Sequence, residues 1–496
     1  MNSTETHKEA APGIMQSDVK AVNSKQETNL FSTRQAIYPK RASGTFRNIK
    51  WLVMAITLGI YYGLPWIRWH RAEGLPDQAF LLDFAHQRMY LFGVELWAQE
   101  LYYVTGILII SALALFMVTA IAGRVWCGYA CPQTVWTDLM VAVEHFWQGD
   151  RNARIRLSKQ KWGFEKLWKF AATHISWLLI GVLTGGASVF YFRDAPTLAY
   201  EFATFSAPSV AYIFVGIFGL STYVLGAIAR EQVCIYMCPW PRIQGAMFDA
   251  DSLLVTYRGF RGEPRGPHRK GQSWEGRGDC IDCKQCVAVC PMGIDIRHGP
   301  QLECIQCALC IDACDSIMKQ IGRPTKLIAY DSYRNLEAES HGERVKIKPI
   351  RPRTMVYISA VTIVTAIMAF FFVQRPILVM QVSAERNPLF VQLSNGSIRN
   401  TFILRIQNKR YEKRRFAIST EGLPTGKLVI AGRDKEANPV VSVDPDDVEP
   451  IKVFLSLPRE AVKKLPSENT PFKFVAKDLD DGTIARYSTT FRSPEK

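Results

Sequence analysis

The sequence predicts a polytopic α-helical membrane protein that carries a cysteine-rich module in one loop and ends in an all-β domain. Three observations predict it. Five stretches of the 496-residue chain are apolar enough to cross ~30 Å of hydrocarbon, which takes ~20 residues. Eight of the twelve cysteines fall between Cys280 and Cys314. Residues 377–496 alternate in hydrophobicity between turns of Pro, Gly, Asn and Asp.

The five stretches are 51–67, 102–122, 170–192, 208–229 and 355–373. The first is the shortest and has tryptophans and tyrosines near its ends, as an interfacial belt would. Residues 1–50 carry Glu5, Glu9, Asp18 and Glu27 and no short apolar core, so they are not a secretory signal. The first ~35 read as a disordered tail. "IYPKRASGTFRNIKW" then brings Lys40, Arg41, Arg47 and Lys50 to the entrance of the first span.

Basic residues set the orientation. The segment 123–169 holds Arg124, Arg151, Arg154, Arg156, Lys159, Lys161, Lys166 and Lys169. The loop 70–101 has only Arg71 and Arg88 against five acids, and 193–207 has only Arg193. The excess of basic residues on cytoplasmic loops then places five transmembrane helices with a cytoplasmic tail at 1–50 and a membrane domain at 51–230. A cytoplasmic segment follows at 231–354, with its cysteine-rich module at about 270–320, then the fifth span at 355–373 and a periplasmic domain at 377–496. In a Gram-negative bacterium this topology would place the chain in the inner membrane and residues 377–496 in the periplasm. The net charge of +15 is accounted for by these loops and requires no nucleic acid as partner. All twelve cysteines lie on the cytoplasmic side, the reverse of an exported disulfide framework, so they read as metal ligands.

Cys280, Cys283, Cys286 and Cys290 spell C-x2-C-x2-C-x3-C, followed by Pro291, and Cys304, Cys307, Cys310 and Cys314 repeat the spacing. This is the run of bacterial two-cluster ferredoxins. Three near-neighbour thiolates hold three corners of a cubane, and the fourth cysteine of each run ligates the other cluster. The expected ligands are Cys280, Cys283, Cys286 and Cys314 for one [4Fe–4S] cluster, and Cys304, Cys307, Cys310 and Cys290 for the second. In the second run Asp315 stands where the first has proline. Zinc takes four thiolates, usually as two C-x2-C pairs, and matches two consecutive triple-repeat runs less well. The chemistry implied is one-electron transfer. The preceding stretch, "YRGFRGEPRGPHRKGQSWEGRGD", reads as a solvated linker or as a docking surface for an acidic electron donor.

The other four cysteines form matched pairs, Cys127-Gly-Tyr-Ala-Cys131-Pro132 and Cys234-Ile-Tyr-Met-Cys238-Pro239, each after an apolar span and an arginine (Arg124, Arg230) that marks the membrane surface. Residues i and i+4 share a helix face, and proline disfavours helical geometry at the cysteine before it. Four buried structural thiols are one reading. Soft-metal ligation or thiol redox chemistry is the other, with one site if spans two and four are neighbours. His174 lies inside the third span without a histidine at similar depth to complete a bis-histidine haem site, and His145 supplies none. Gly181 to Gly185, "GVLTG", reads as close helix packing.

The C-terminal region suggests seven or eight strands, an immunoglobulin-like sandwich. Its only methionine is Met380 and it has no histidine. It reads as a partner-binding or positioning module. The chain has neither a Walker A motif nor a G-x-G-x-x-G after a strand, so its reductant is expected from a partner.

After residue ~35 nearly the whole chain resembles the cytochrome c oxidase accessory proteins of the CcoG/FixG/RdxA type. The resemblance rests on "IYPKRASGTFR", "RVWCGYACPQTVW", "EQVCIYMCPWPRIQGAMFD", the double ferredoxin run and the C-terminal sandwich. It implies a role in assembling cbb3-type cytochrome c oxidase, with Cu(II) reduced to Cu(I) before delivery. It also implies partners among oxidase assembly factors, a copper transporter or chaperone, and a cytoplasmic electron donor. Cys127, Cys131, Cys234 and Cys238 would then be copper-handling or thiol-relay residues. The alternatives are an electron-transfer subunit of a membrane quinol dehydrogenase and a scaffold whose clusters are structural.

Overall fold

The structure is a computed structural model that describes residues 9–11, 14–17, 19–23, 36–71, 75–269, 271–343, 348–376, 378–410, 412–424, 426–432, 440–444 and 447–494. It divides into two compact units, Met1–Met368 and Ala369–Lys496.

Among the described residues, four helices are long and apolar enough to cross a membrane: Ala98–Ala122, Phe164–Val189, Ser209–Ala229 and Pro352–Val373. Outward side chains such as Leu108 and Leu183, both 65% exposed, give them an apolar surface that water would not tolerate at this extent. The helix at the expected first span, Thr45–Gly63 (α1), differs from the expected 51–67. It begins six residues earlier and gives way at Gly63 to a 3-10 turn, Leu64–Trp66. Arg47 and Lys50 lie in its first turns, and both reach Asp138, at 2.8 Å and 3.7 Å. Those two cations keep α1 short of the apolarity of the other four.

The helices Phe164–Val189 and Ser209–Thr222 are neighbours because glycines let their backbones meet. A methyl group on Gly181 would lie 2.7 Å from the carbonyl oxygen of Gly219, and one on Gly185 would collide with that of Val215. His174, on the first of these helices, hydrogen-bonds through Nδ1 to the Tyr223 hydroxyl at 2.8 Å and packs edge-on against Trp177.

The cysteine-rich module is bracketed by an antiparallel pair of strands, Leu254–Tyr257 (β1) and Ile328–Asp331 (β2). Its longest helix, Leu309–Gln320 (α2), runs through Cys314 without a break, because Asp315 leaves the backbone N–H that a proline would remove. Asp312 on α2 accepts the backbone N–H groups of Phe46 and Arg47, and so caps α1 from the module.

Two expectations are corrected. The linker before the module is anchored: Arg258 pairs with Asp331 and Glu339, and Arg261 with Asp279. The N-terminal stretch is not wholly a disordered tail. Ser17 donates its backbone N–H to the Cys283 carbonyl at 3.0 Å, and Val22 to that of Gly293 at 2.8 Å. Residues 1–8 and 24–35 lie outside the described residues.

The second unit is a two-sheet sandwich. One sheet runs in the order Lys427–Ile430, Asp447–Leu457, Ile398–Asn408, Leu378–Ala384, with Val391–Gln392 paired beside Ile398–Asn408. The other runs Val440–Val443, Arg414–Glu421, Asn469–Asp478, Ile484–Arg492. Alternate residues turn inward, and Phe402, Leu404, Val453, Phe474 and Phe491 are buried between the sheets.

Candidate functional site

The two ferredoxin runs fold alike. Asp282 and Lys284 in the first loop adopt left-handed backbone angles, φ 52° and 53°, and Gln306 and Ala308 do so at the matching positions of the second, φ 58° and 60°. None is glycine, so each conformation carries a steric cost. Alternating handedness of this kind turns successive N–H groups inward, where they can meet an anion.

One cavity is lined by Cys280, Cys283, Cys286 and Cys314, walled by Tyr257, Ile317 and Leu327. A second is lined by Cys290, Cys304, Cys307 and Cys310, and Cys286 lines both cavities. The last cysteine of each run therefore lies with the first three of the other. Among the described residues no three His, Cys, Asp or Glu side chains converge on one point to hold a single metal ion. The thiols instead surround cavities, the arrangement that suits a cage of iron and sulfide and not a mononuclear ion. Burial, with the neighbouring Cys307 thiol second, pushes Cys290 up to about 12, and burial followed by Cys290 does the same to Cys304. Metal binding at such thiols expels their protons. On cavity, backbone and donor set, the residues fit two [4Fe–4S] clusters.

The C-x-Y-x-C-P pairs also fold alike. Cys127 lies in the short helix Val125–Tyr129 and Cys234 in the π-turn Val233–Met237. The Cys131 N–H reaches back five residues to the Trp126 carbonyl at 2.9 Å, and the Cys238 N–H to that of Val233 at 2.8 Å. Both second cysteines are extended, which is the effect expected of Pro132 and Pro239. The i, i+4 helical face expected within each pair is thus replaced by a five-residue turn. Such turns gather at functional sites.

The two pairs come together. Burial raises Cys127 to about 11, with Cys131 next and Cys238 adding to it. Burial raises Cys234 to about 12, followed by Cys131, Cys127 and Cys238. Cys127 and Cys234 pack against the same apolar cluster as Cys290, Cys304 and Cys310, built on Ile294, Ile305 and Leu309. The contact is direct: a methyl on Gly128 would lie 2.8 Å from the Ile305 carbonyl oxygen and 3.1 Å from Cys307 Cα.

Arg124, at the end of the second apolar stretch, is buried within the protein at 2% exposure. Its guanidinium donates to the carbonyls of Leu302, Cys304 and Pro241, and its backbone N–H donates to Gln306 Oε1 at 2.8 Å. It ties both membrane motifs to the second ferredoxin loop. Arg230 is likewise half-buried and pairs with Glu144, which also holds Arg154. Gln244, fully buried, accepts a hydrogen bond through Oε1 from the Cys127 thiol, with Sγ and Oε1 3.2 Å apart. Arginines close before each cysteine pair were the available signal for Arg124 and Arg230; nothing in the sequence pointed to Gln244.

This fold and these sites define a membrane iron–sulfur protein with a dicluster ferredoxin module. Profiles described as "4Fe-4S binding domain" and "4Fe-4S dicluster domain" match residues 104–164 and 229–333. A third, describing the Ig-like fold at the C-terminal of FixG, matches 368–494. The chain is 45% identical to the nitrogen fixation protein FixG of Rhizobium meliloti, covering 94% of each chain. It is 46% identical to protein RdxB of Cereibacter sphaeroides over 94% of this chain and 98% of that one. Protein RdxA of the same organism is 49% identical over 79% and 84%. The chain belongs to the FixG/RdxA/RdxB family.

Proposed function

We propose that the chain is an electron-transfer protein of the bacterial inner membrane that serves the assembly of cbb3-type cytochrome c oxidase by reducing Cu(II) to Cu(I). The observation that carries this reading is the direct packing of the membrane-surface cysteines on the second ferredoxin loop, through Gly128 and Cys307. A generic soluble carrier has no use for a second set of thiols at the membrane.

In this reading Cys280, Cys283, Cys286 and Cys314 hold one cluster and Cys290, Cys304, Cys307 and Cys310 the other. When bound, the clusters supply one-electron redox chemistry. α1 joins the four apolar helices as a fifth crossing, with N-terminus and ferredoxin module in the cytoplasm and the sandwich in the periplasm. Cys127, Cys131, Cys234 and Cys238 form the exit side, where electrons leave for Cu(II); each ion takes one electron and gives Cu(I). The reductant is a one-electron donor protein of the ferredoxin or flavin class, drawn to basic surface near Arg265 and Arg269. The copper partners are a transporter or chaperone and the oxidase assembly factors.

The test is Cu(II) reduction by anaerobically purified, dithionite-reduced protein freed of excess reductant, read with a bathocuproine-type Cu(I) chelator. Wild type should yield Cu(I) in proportion to protein, and a Cys283→Ser, Cys307→Ser variant should lose at least tenfold in rate. Equal rates in both would overturn the reading.

A second reading, a subunit that takes electrons from quinol, is favoured by one feature. A cavity of about 390 Å³ beside Cys234 has an apolar wall of Trp51, Val141 and Phe146, with His145 and Asp138 among polar groups that also include Lys40, Arg41, Arg47, Lys50 and Arg230. Reduction of the clusters by a quinol analogue in detergent would support it.

A further inference from the structure

We propose that the cavity of about 390 Å³ between the start of α1, the helix Pro132–Trp147 and the ferredoxin module binds the phosphate headgroup of an acidic phospholipid from the adjoining leaflet. The site needs neither the clusters nor copper.

Charge is the first ground. Among the described residues the lining carries five cations, Lys40, Arg41, Arg47, Lys50 and Arg230, against two carboxylates, Asp138 and Glu231. Arg47 takes both oxygens of Asp138, each at 2.8 Å, and Arg230 pairs outside the lining with Glu144. The Lys40 ammonium and the Arg41 guanidinium reach only neutral acceptors, Gln285 Oε1 at 2.9 Å and the His145 carbonyl at 3.4 Å.

Lys50 is the second ground. It lines the cavity and is only 4% exposed, yet among the described residues its ammonium makes no hydrogen bond. Asp138, already held by Arg47, stands 3.7 Å away. Cations that merely mark one side of a membrane sit in water. A buried ammonium with three donors to place calls for an anion.

The apolar wall decides which anion. Trp51 and Phe146 line the same cavity and are 40% and 75% exposed, so a lipid-facing surface adjoins the cations. The volume suits a headgroup and leaves the acyl chains outside, over these two rings. A free phosphate leaves the apolar wall unused, and a quinol ring, being neutral, leaves the cations unpaired. Basic pockets between membrane helices take acidic headgroups in this way. A lipid held here ties the ferredoxin module to the bilayer, because Met292, Ile305 and Leu309 of the module close the same cavity.

The test is lipid binding to delipidated full-length protein in detergent, counted by native mass spectrometry. The probes are phosphatidylglycerol and phosphatidylcholine with identical chains. Wild type should bind phosphatidylglycerol at least ~tenfold more tightly, and Lys40→Gln, Lys50→Gln should abolish that preference. Lys159→Gln, Lys161→Gln removes two exposed cations outside the cavity and should keep it. Equal binding of the two lipids by wild type, or equal losses in the two double variants, would overturn the proposal. So would displacement of phosphatidylglycerol by millimolar inorganic phosphate, which marks a free-phosphate site, or by decylubiquinol, which marks a quinol site. If the Lys50 variant does not accumulate, Lys40→Gln, Arg41→Gln takes its place, since both residues lie in a less buried loop.

Discussion

At the scale of single residues, Arg124 joins three parts of the site, and its role can be separated into charge and hydrogen bonding. Its guanidinium, on a residue only 2% exposed, donates to the partly buried carbonyls of Leu302, Cys304 and Pro241. An Arg124→Ala change removes these hydrogen bonds, and at ~0.5–1.5 kcal/mol for each the loss of stability should be ~1–3 kcal/mol, read as a lower unfolding temperature in detergent. Arg124→Gln keeps a donor but removes the positive charge. Adding an electron to a cluster then becomes less favourable, so the reduction potential of the cluster held near Cys304 should fall; an unchanged potential would show that the charge is screened. Asp312 offers a second residue-scale prediction. It caps α1 from another element, so Asp312→Ala should cost ~1–2 kcal/mol, with Asp312→Asn retaining much of the cap.

At the scale of elements, the helix pair Phe164–Val189 and Ser209–Thr222 depends on Gly181, Gly185 and Gly219. Gly185→Leu should force the helices apart, costing ~1–3 kcal/mol or more. Gly186, one residue along, has nothing within 4 Å of an added methyl, so Gly186→Ala should be neutral or slightly stabilising, and a thermal melt of the two variants side by side checks the contrast. This packing was legible in the sequence, because small residues four apart on an apolar helix have one common use. The four apolar helices were legible for the same reason, their hydrophobicity being continuous. α1 was misjudged at both ends because its register is set by a cap from Asp312, hundreds of residues away, and by cations that fold back onto Asp138. The anchored linker and the docked N-terminal residues were missed on like grounds: a Gly- and Arg-rich or polar stretch looks solvated until its distant partner, Asp331 or the Cys283 carbonyl, is in place.

At the scale of the whole molecule, the cysteine spacing made the two-cavity module readable because a cubane imposes its own short-range pattern. The meeting of the two membrane pairs was readable only as a possibility, since it depends on which helices become neighbours. The proposed five-span topology predicts that a reporter fused at the C-terminus is active only if exported, and one inserted at residues 262–276 only if cytoplasmic; the reverse at either point would contradict the charge argument. The central claim, that the last cysteine of each ferredoxin run serves the other run's cluster, is tested most directly by comparing the EPR spectra of reduced Cys283→Ser, Cys290→Ser and Cys307→Ser variants. The account predicts that Cys290→Ser perturbs the same cluster as Cys307→Ser and spares the one altered by Cys283→Ser. A Cys290→Ser spectrum that matches Cys283→Ser would contradict it.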